Sequence, residues 1–413
     1  MYERGRILAG LTQHATTTVM TMTHSDIDSA AAGLGFDLGE ELSMVRDSAR
    51  DFADGVLAPL ATKHDREESI SDDVYEQLGE LGFWGLTLPE EYGGADLGNV
   101  ALAVVLEELN RACASTGVAV SVHNSLLCAP LMKFGTEEQK AHWLPKLASG
   151  EAIGAYSLSE AGSGSDAAAL AATAERDGDD WILRGTKLWV TSGDRAGLFL
   201  VYVRTNPDLP KAKGITAFLM PGDAPGLKVG KHEMKTGIRG SATVELILDD
   251  VRLGPECVLG EVDRGFPIAM DTLAGGRIGI ASQAVGIGQA CLDASIKYAK
   301  EREQFGKPIG YFQAIQHKLA DMSARLEAAR LLVRKAAWMR DRGMEVNRQS
   351  SEAKLLASQA ANFCADEAVQ IHGGAGYTDD FHVERLFRDA RITEIYEGAT
   401  DIQRLVIARD LLR

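Results

Sequence analysis

Trp181-Ile182-Leu183-Arg184-Gly185-Thr186-Lys187-Leu188-Trp189-Val190 is the stretch whose reading decides how this chain folds. It is a short run rich in aromatic and β-branched residues, opened by the turn signal Asp177-Gly178-Asp179. Runs of the same texture recur at 198–204, 215–220 and 243–248, separated by Asn206-Pro207 and Pro221-Gly222. Strands bounded by such turns predict a small antiparallel β domain over about 152–262.

Outward from it, both flanks are helical. Upstream, Leu42, Val45, Ala49, Phe52, Val56 and Leu60 recur at spacings of three and four, which puts them on one helix face. A helix is predicted over 99–112, and another from Thr136, where Thr136 and Gln139 match a capping box, to Ser149-Gly150. Downstream, long helices are predicted near 276–303, 314–342 and 350–372, with a last one from about 400 to the end. The second carries Ile315, Leu319, Met322, Leu326 and Ala336 on one face, the pattern of an antiparallel bundle. The fold class is therefore mainly α with an inserted β domain. An all-α domain spans 38–151, an antiparallel β-barrel or sandwich 152–262, and a C-terminal four-helix bundle 263–413.

Size and composition agree. The chain has 413 residues, enough for two or three domains, and is 45% hydrophobic and 25% charged. A formal charge of -16 argues against a nucleic-acid partner. The 5 cysteines are scattered without a C-x-x-C, so a disulfide framework is not expected and a cytoplasmic location is. No apolar run reaches the roughly 20 residues that cross a bilayer. The 9 histidines show no metal-ligand spacing. Residues 1–37, with Arg4, Arg6 and a threonine run, faintly resemble a transit peptide, which would direct the protein to the mitochondrial matrix. They lack a central apolar region and read as a disordered extension, with Met20 and Met22 as alternative starts.

Two glycine-rich loops invite comparison with nucleotide motifs. Gly162-Ser163-Gly164-Ser165-Asp166 has no G-K-[ST] after it and is not a P-loop. Gly275-Gly276-Arg277-Ile278-Gly279 reads as the opening of a helix, yet no strand precedes it, so a Rossmann site is not expected.

Near the end stands Ile395-Tyr396-Glu397-Gly398-Ala399-Thr400-Asp401-Ile402-Gln403-Arg404. Glu397 has two readings. It is a carboxylate set before a helix to suit its dipole, or a general base whose pKa rises in a partly dry pocket.

Further motifs precede it in order. They are Tyr156-Ser157-Leu158-Ser159-Glu160 with Gly162–Asp166, Lys187-Leu188-Trp189-Val190-Thr191-Ser192-Gly193, Arg302-Glu303-Gln304-Phe305-Gly306 and Gln370-Ile371-His372-Gly373-Gly374. Taken together the chain, over about 38–413, resembles the acyl-CoA dehydrogenase family of flavoproteins, its short-chain and short branched-chain members most closely.

The resemblance implies FAD as cofactor and an acyl-CoA substrate. It places Tyr156, Leu158, Ser159, Gly164 and Ser165 along the flavin ring, with Ser165 also touching the CoA portion. Trp189 would pack against the ring, with Val190 beside it and Thr191 near N5; alone, Trp189 reads as a strand core aromatic. Arg302, with Gln304 and Phe305, would reach the FAD pyrophosphate of a neighbouring subunit, and Arg suits it because its fork pairs with two phosphate oxygens. Gln313, Gln370, Ile371, Gly373 and Gly374 would meet the adenosine half; the glycines also read as a helix C-cap. Ala399, Thr400 and Asp401 would touch FAD again. Gly276, Arg277, Tyr396 and Gly398 would line the substrate site.

Glu397 would be the base, its backbone N–H and a ribityl hydroxyl holding the thioester carbonyl. Some relatives carry their base just before the arginine matched by Arg277; here that place is Gly276. The family pattern also implies electron-transferring flavoprotein as electron acceptor and a homotetramer, a dimer of dimers, with no membrane association. Ala274 and Ala399 depart from it, standing where many relatives have Asp and Thr. His123 lies where relatives line the acyl pocket, and reads equally as a satisfied helix-end histidine. An acyl-CoA oxidase and a non-catalytic flavin-binding subunit are the alternatives; the latter would be expected to lose Glu397, Thr191 or Arg302.

Overall fold

The computed structural model describes residues 38–413; the expectations for 1–37 lie outside the described residues. The chain divides into two compact units, Met1–Met44 and Val45–Arg413. Of the first, only 38–44 are described, and they open helix α1, Gly39–Phe52.

Helix α1 runs through a π-helical turn, Ala53–Leu57, into α2, Ala58–Glu67, which carries a proline in its first turn. Then come α3 (Asp72–Glu80), α4 (Gly98–Ala112), α5 (Ala114–Val122), α6 (Ala129–Phe134) and α7 (Glu137–Ser149). The capping box at the start of α7 forms as predicted, with Gln139 N–H donating to Thr136 Oγ1 at 3.2 Å and Thr136 N–H donating to Gln139 Oε1 at 3.0 Å. Phe52, Leu57, Val74, Leu78, Leu106 and Leu109 form the core between these helices.

The β segment forms one 8-stranded sheet in the order β6-β7-β3-β2-β4-β5-β8, with β1 added beside β4. Its strands are β1 Ile153–Ser157, β2 Thr173–Asp177, β3 Asp180–Thr191, β4 Ala196–Arg204, β5 Ile215–Pro221, β6 Leu227–His232, β7 Thr243–Leu253 and β8 Val258–Leu259. The antiparallel expectation needs one amendment: β1 pairs with β4 in parallel, and β2 touches β4 the same way. Strand β4 reads as a continuous apolar run because both of its faces are buried. Leu198, Leu200 and Tyr202 pack towards Leu127, Leu131 and Leu144, while Phe199, Val201 and Val203 pack on Trp181, Phe218 and Val244.

A short hairpin of β9 (Glu303–Gln304) and β10 (Lys307–Pro308) separates the next two long helices. The helices are α8 (Gly265–Glu301), α9 (Gln313–Asp341), α10 (Asn347–His372), α11 (Val383–Ile392) and α12 (Thr400–Leu411). Helix α8 begins at Gly265, so Gly275 and Gly276 lie inside it and do not open it. These glycines admit neighbours instead of breaking the helix: a Cβ at Gly279 would overlap Ser121 Oγ, and one at Gly288 would meet Leu326 Cδ2 at 2.5 Å. Helices α8, α9 and α10 share one core through Ile287, Met322, Leu326, Val333 and Cys364.

Candidate active site

Two pieces of backbone meet first. The loop after β1 lies against β3, where Leu188 N–H donates to Ser159 O at 2.9 Å. The joint is locked by a buried ion pair. Lys187 Nζ lies 2.7 Å from Glu160 Oε1 and 3.2 Å from Leu158 O, and Lys187 is fully buried. Glu160 also accepts from the N–H groups of Ala171 at 2.6 Å and Ala172 at 3.0 Å. Burial pulls the Lys187 ammonium down to about 8, and the Glu160 carboxylate opposes that shift.

Directly after this joint the β3–β7 register breaks between Lys187 and Val190, and Trp189 sits at φ 58. A bulge of this kind re-aims a side chain. The Trp189 indole is 54% exposed, while its neighbour Val190 is buried. The core-aromatic reading of Trp189 is thereby excluded. Thr191 is half-buried, Ser159 likewise, and Gly164 and Ser165 are exposed.

Glu397 stands in the loop between α11 and α12 with φ 50, and Gly398 follows with φ 98. Two consecutive left-handed residues turn the chain sharply, at a cost of roughly 1–2 kcal/mol for the non-glycine one. The Glu397 carboxylate oxygen Oε2 is buried and has no hydrogen-bond partner. Burial pushes this carboxyl up to about 7, while Lys354 and Arg277 pull in the opposite direction. Glu397 stands two residues before Ala399, the N-cap of α12, so its place ahead of that helix agrees with the dipole reading as well.

Gly276 on α8 faces this carboxylate: a Cβ there would overlap Glu397 Oε2 and meet Leu126 Cδ2 at 2.6 Å. Arg277 is buried beside it, its Nη1 donating to Asn347 Oδ1 at 3.2 Å. Tyr396 donates its hydroxyl to the buried Gln283 Oε1. The Tyr156 hydroxyl is buried beside Tyr202 and also lies in the field of Glu397 and Arg277. Glu397, Gly276, Arg277, Tyr396 and Tyr156 thus come together in one small pocket. We expect Gly276→Ala to push the carboxylate aside and lower kcat/KM by about 10²-fold while FAD content holds, since a displacement near 1 Å has that effect; steady-state kinetics beside the flavin absorbance will read both.

The remaining predicted positions lie elsewhere. Arg302 follows α8, is exposed, and forms no ion pair among the described residues. Phe305 is 92% exposed at φ 54, and Gln304 donates to Glu303 O at 2.6 Å. Gln313 opens α9, while Gln370 and the buried Ile371 close α10. Gly373 caps α10 at φ 60, its N–H donating to Gln370 O, so the cap reading holds. Thr400 Oγ1 donates to Glu394 O at 3.2 Å, and Asp401 pairs with Arg404 at 2.8 Å.

His123 is a fixed structural joint. Gly154 N–H donates to its Nδ1 at 3.0 Å, so Nε2 carries the proton and donates to Leu147 O at 3.1 Å. Burial drives its pKa down to about 4, and it is neutral. All five cysteines are free. Among the described residues there is no cluster that could hold a metal, and no helix long and apolar enough to cross a membrane.

Three family models match in sequence order: acyl-CoA dehydrogenase N-terminal domain over 39–151, middle domain over 155–251 and C-terminal domain over 263–412. The chain belongs to the acyl-CoA dehydrogenase family. It is 49% identical over 377 residues to the short-chain specific acyl-CoA dehydrogenase, mitochondrial, of Mus musculus, covering 91% of each chain. The structure of butyryl-CoA dehydrogenase from Megasphaera elsdenii superposes with a TM-score of 0.90 at 39% identity, covering 92% of this chain and 100% of that one. A glutaryl-CoA dehydrogenase from Mycobacterium smegmatis, solved in complex with FADH2, gives 0.86 at 32% identity, covering 91% and 95%.

Within this acyl-CoA dehydrogenase scaffold, four side chains at the site escaped the sequence reading of roles. Glu160 and Lys187 were visible inside quoted motifs, but nothing in one dimension pairs them. Lys354 and Gln403 hold the Gly398 carbonyl, each at 2.7 Å. A lysine within a helix otherwise reads as solvated, and only its neighbours Ala353 and Leu355 hint at burial.

Proposed function

We propose that the protein is an FAD-dependent acyl-CoA dehydrogenase that oxidises a short or short branched acyl-CoA to the trans-2-enoyl-CoA, with Glu397 as the base. One observation carries this reading: the Glu397 carboxylate oxygen Oε2, buried without a hydrogen-bond partner, faces the gap left by the missing side chain of Gly276. Leaving a buried carboxylate oxygen unpaired costs stability, and a base needs such a free oxygen to take a proton.

The residues present fit a flavin. Trp189 offers an exposed indole from a bulge at positive φ, a large apolar surface left open among the described residues. The neighbouring loop 156–165 brings backbone groups and the Ser159 hydroxyl to the same edge, with Thr191 beside them. Arg302, unpaired and exposed, suits a pyrophosphate. Its distance in sequence and fold from Glu397 supports the family arrangement in which a second subunit completes the cofactor site, with Gln304, Phe305, Gln313 and Gln370–Gly374 on the adenosine side. Ala399, Thr400 and Asp401 would close the near side.

When bound, FAD supplies the acceptor for a hydride from the substrate's β-carbon. The chain's own residues do the rest. The Glu397 backbone N–H donates to the thioester carbonyl and stabilises the charge that develops there. The Glu397 carboxylate takes an α-proton and becomes neutral. Arg277 and Lys354 hold positive charge beside it. Ser165 would meet the CoA portion, while Tyr396 and Gly398 would line the acyl pocket. The same reading takes 38–151, 152–262 and 263–413 as its three domains, a homotetramer as its assembly, and electron-transferring flavoprotein as the partner that reoxidises it.

The test is turnover of a panel of acyl-CoAs with an artificial electron acceptor. Butyryl-CoA and branched four- or five-carbon thioesters should give the highest kcat/KM, well above long-chain and aryl-substituted ones. An FAD-loaded protein inert towards every short acyl-CoA would overturn the reading.

A further inference from the structure

Lys354 lies near the start of α10 and is fully buried, a costly place for an ammonium. Its hydrogen-bond partner is a carbonyl and not a carboxylate: Nζ donates to Gly398 O at 2.7 Å. Gln403 Nε2 donates to the same oxygen at 2.7 Å and to Glu397 O at 3.3 Å. Gln403 belongs to the adjoining helix α12 and so shapes the turn locally. Among the described residues, Lys354 is the one whose hydrogen bond fastens it to α10.

A left-handed Glu persists only where its surroundings over-determine it. A neutral donor would satisfy the Gly398 carbonyl at lower desolvation cost. What the ammonium adds is charge. The groups that face the Glu397 carboxylate are Lys354 from α10, Arg277 from α8, Tyr156 from β1 and its neighbour Tyr396. Lys354 in turn feels Glu397, Arg277 and Glu394, and burial holds it down at about 8.

We propose that Lys354 is a positioning residue for the base: it ties the Glu397–Gly398 turn to α10 and supplies positive charge facing the carboxylate. This rests on the reading of Glu397 as the base. The experiment uses the FAD-loaded full chain with Lys354→Gln, Lys354→Met and Lys354→Arg. Protonation of Glu397 is read without substrate as the carboxyl C=O band in infrared difference spectra, each protein against the same protein carrying Glu397→Gln.

Removing the charge should raise the titration midpoint by at least about one pH unit in the Gln and Met variants, as expected for loss of a close opposite charge. The Gln variant keeps a donor, so it separates charge from hydrogen bonding. The Arg variant should stay within about half a unit of wild type, since its charge is retained. The pH profile of kcat/KM should move with the infrared midpoint. Midpoints in the Gln and Met variants equal to wild type overturn the proposal. So does loss of folding in both neutral variants, which would make Lys354 purely structural. Near-normal turnover in Glu397→Gln would instead remove the base assignment, and the infrared midpoint would still report whether Lys354 acts on the carboxylate.

Discussion

Replacing Glu397 by Gln should lower turnover by about 10²–10⁴-fold, the range that positioned proton transfer contributes, while FAD content and acyl-CoA binding persist. Gln has nearly the same shape and keeps the backbone N–H that would hold the thioester oxygen. The carboxylate oxygen it replaces has no hydrogen-bond partner to lose, so the fold should tolerate the change. The alternative position that the family resemblance implies is Gly276, which carries no carboxylate and leaves no room for a side chain. Steady-state rates with butyryl-CoA, beside flavin absorbance and a thermal melt, separate lost chemistry from lost cofactor. A variant that turns over near the wild-type rate would sink the assignment.

The second large effect concerns the buried pair Lys187–Glu160. Lys187→Met should strand Glu160 beside two backbone N–H groups without its cation, at a cost of roughly 3–5 kcal/mol, the usual result of breaking a buried pair from one side. The loop that carries Leu158 and Ser159 is tied to β3 through this pair and through Leu188 N–H. FAD should therefore leave more readily, and the thermal midpoint should fall. The double replacement Lys187→Met with Glu160→Gln removes both charges and should recover part of the loss. An unchanged melting temperature and FAD affinity in the single variant would show that the pair does not hold the loop.

Much of this was readable from the sequence, for physical reasons. Helices α4, α7, α9 and α10 declare themselves through their apolar residues, α7 also through its capping box and α10 through the glycines at its end. Strand β4 declares itself as a solid apolar run. Helix α11 does not declare itself, because its ten residues carry charges on half of the positions and bury only Val383, Arg385, Leu386, Asp389 and Ala390. The glycines of α8 misled in the opposite direction. Gly275 and Gly276 look like punctuation, yet their role is contact with residues from other parts of the chain, which no local pattern records.

The site divides the same way. Motif order placed Glu397, Trp189 and Arg302 among candidates, but their environments are three-dimensional facts. The bulge that turns Trp189 outward, the buried Lys354 behind Gly398, and the satisfied ring of His123 each depend on partners far away in sequence. His123 illustrates the difference most plainly: two readings stood level until Gly154 and Leu147 were found to occupy both ring nitrogens.

As a base, Glu397 would work from a site where burial raises its pKa to about 7. A base must be deprotonated to act, so activity should grow as pH rises through that value and level off above it. The pH dependence of kcat/KM for butyryl-CoA, which reports the free enzyme, tests this most directly. The account predicts a tenfold fall per unit below about pH 7 and a plateau above it, with that limb absent from the residual rate of Glu397→Gln. A profile that stays flat from about pH 5 to about pH 9 would contradict it.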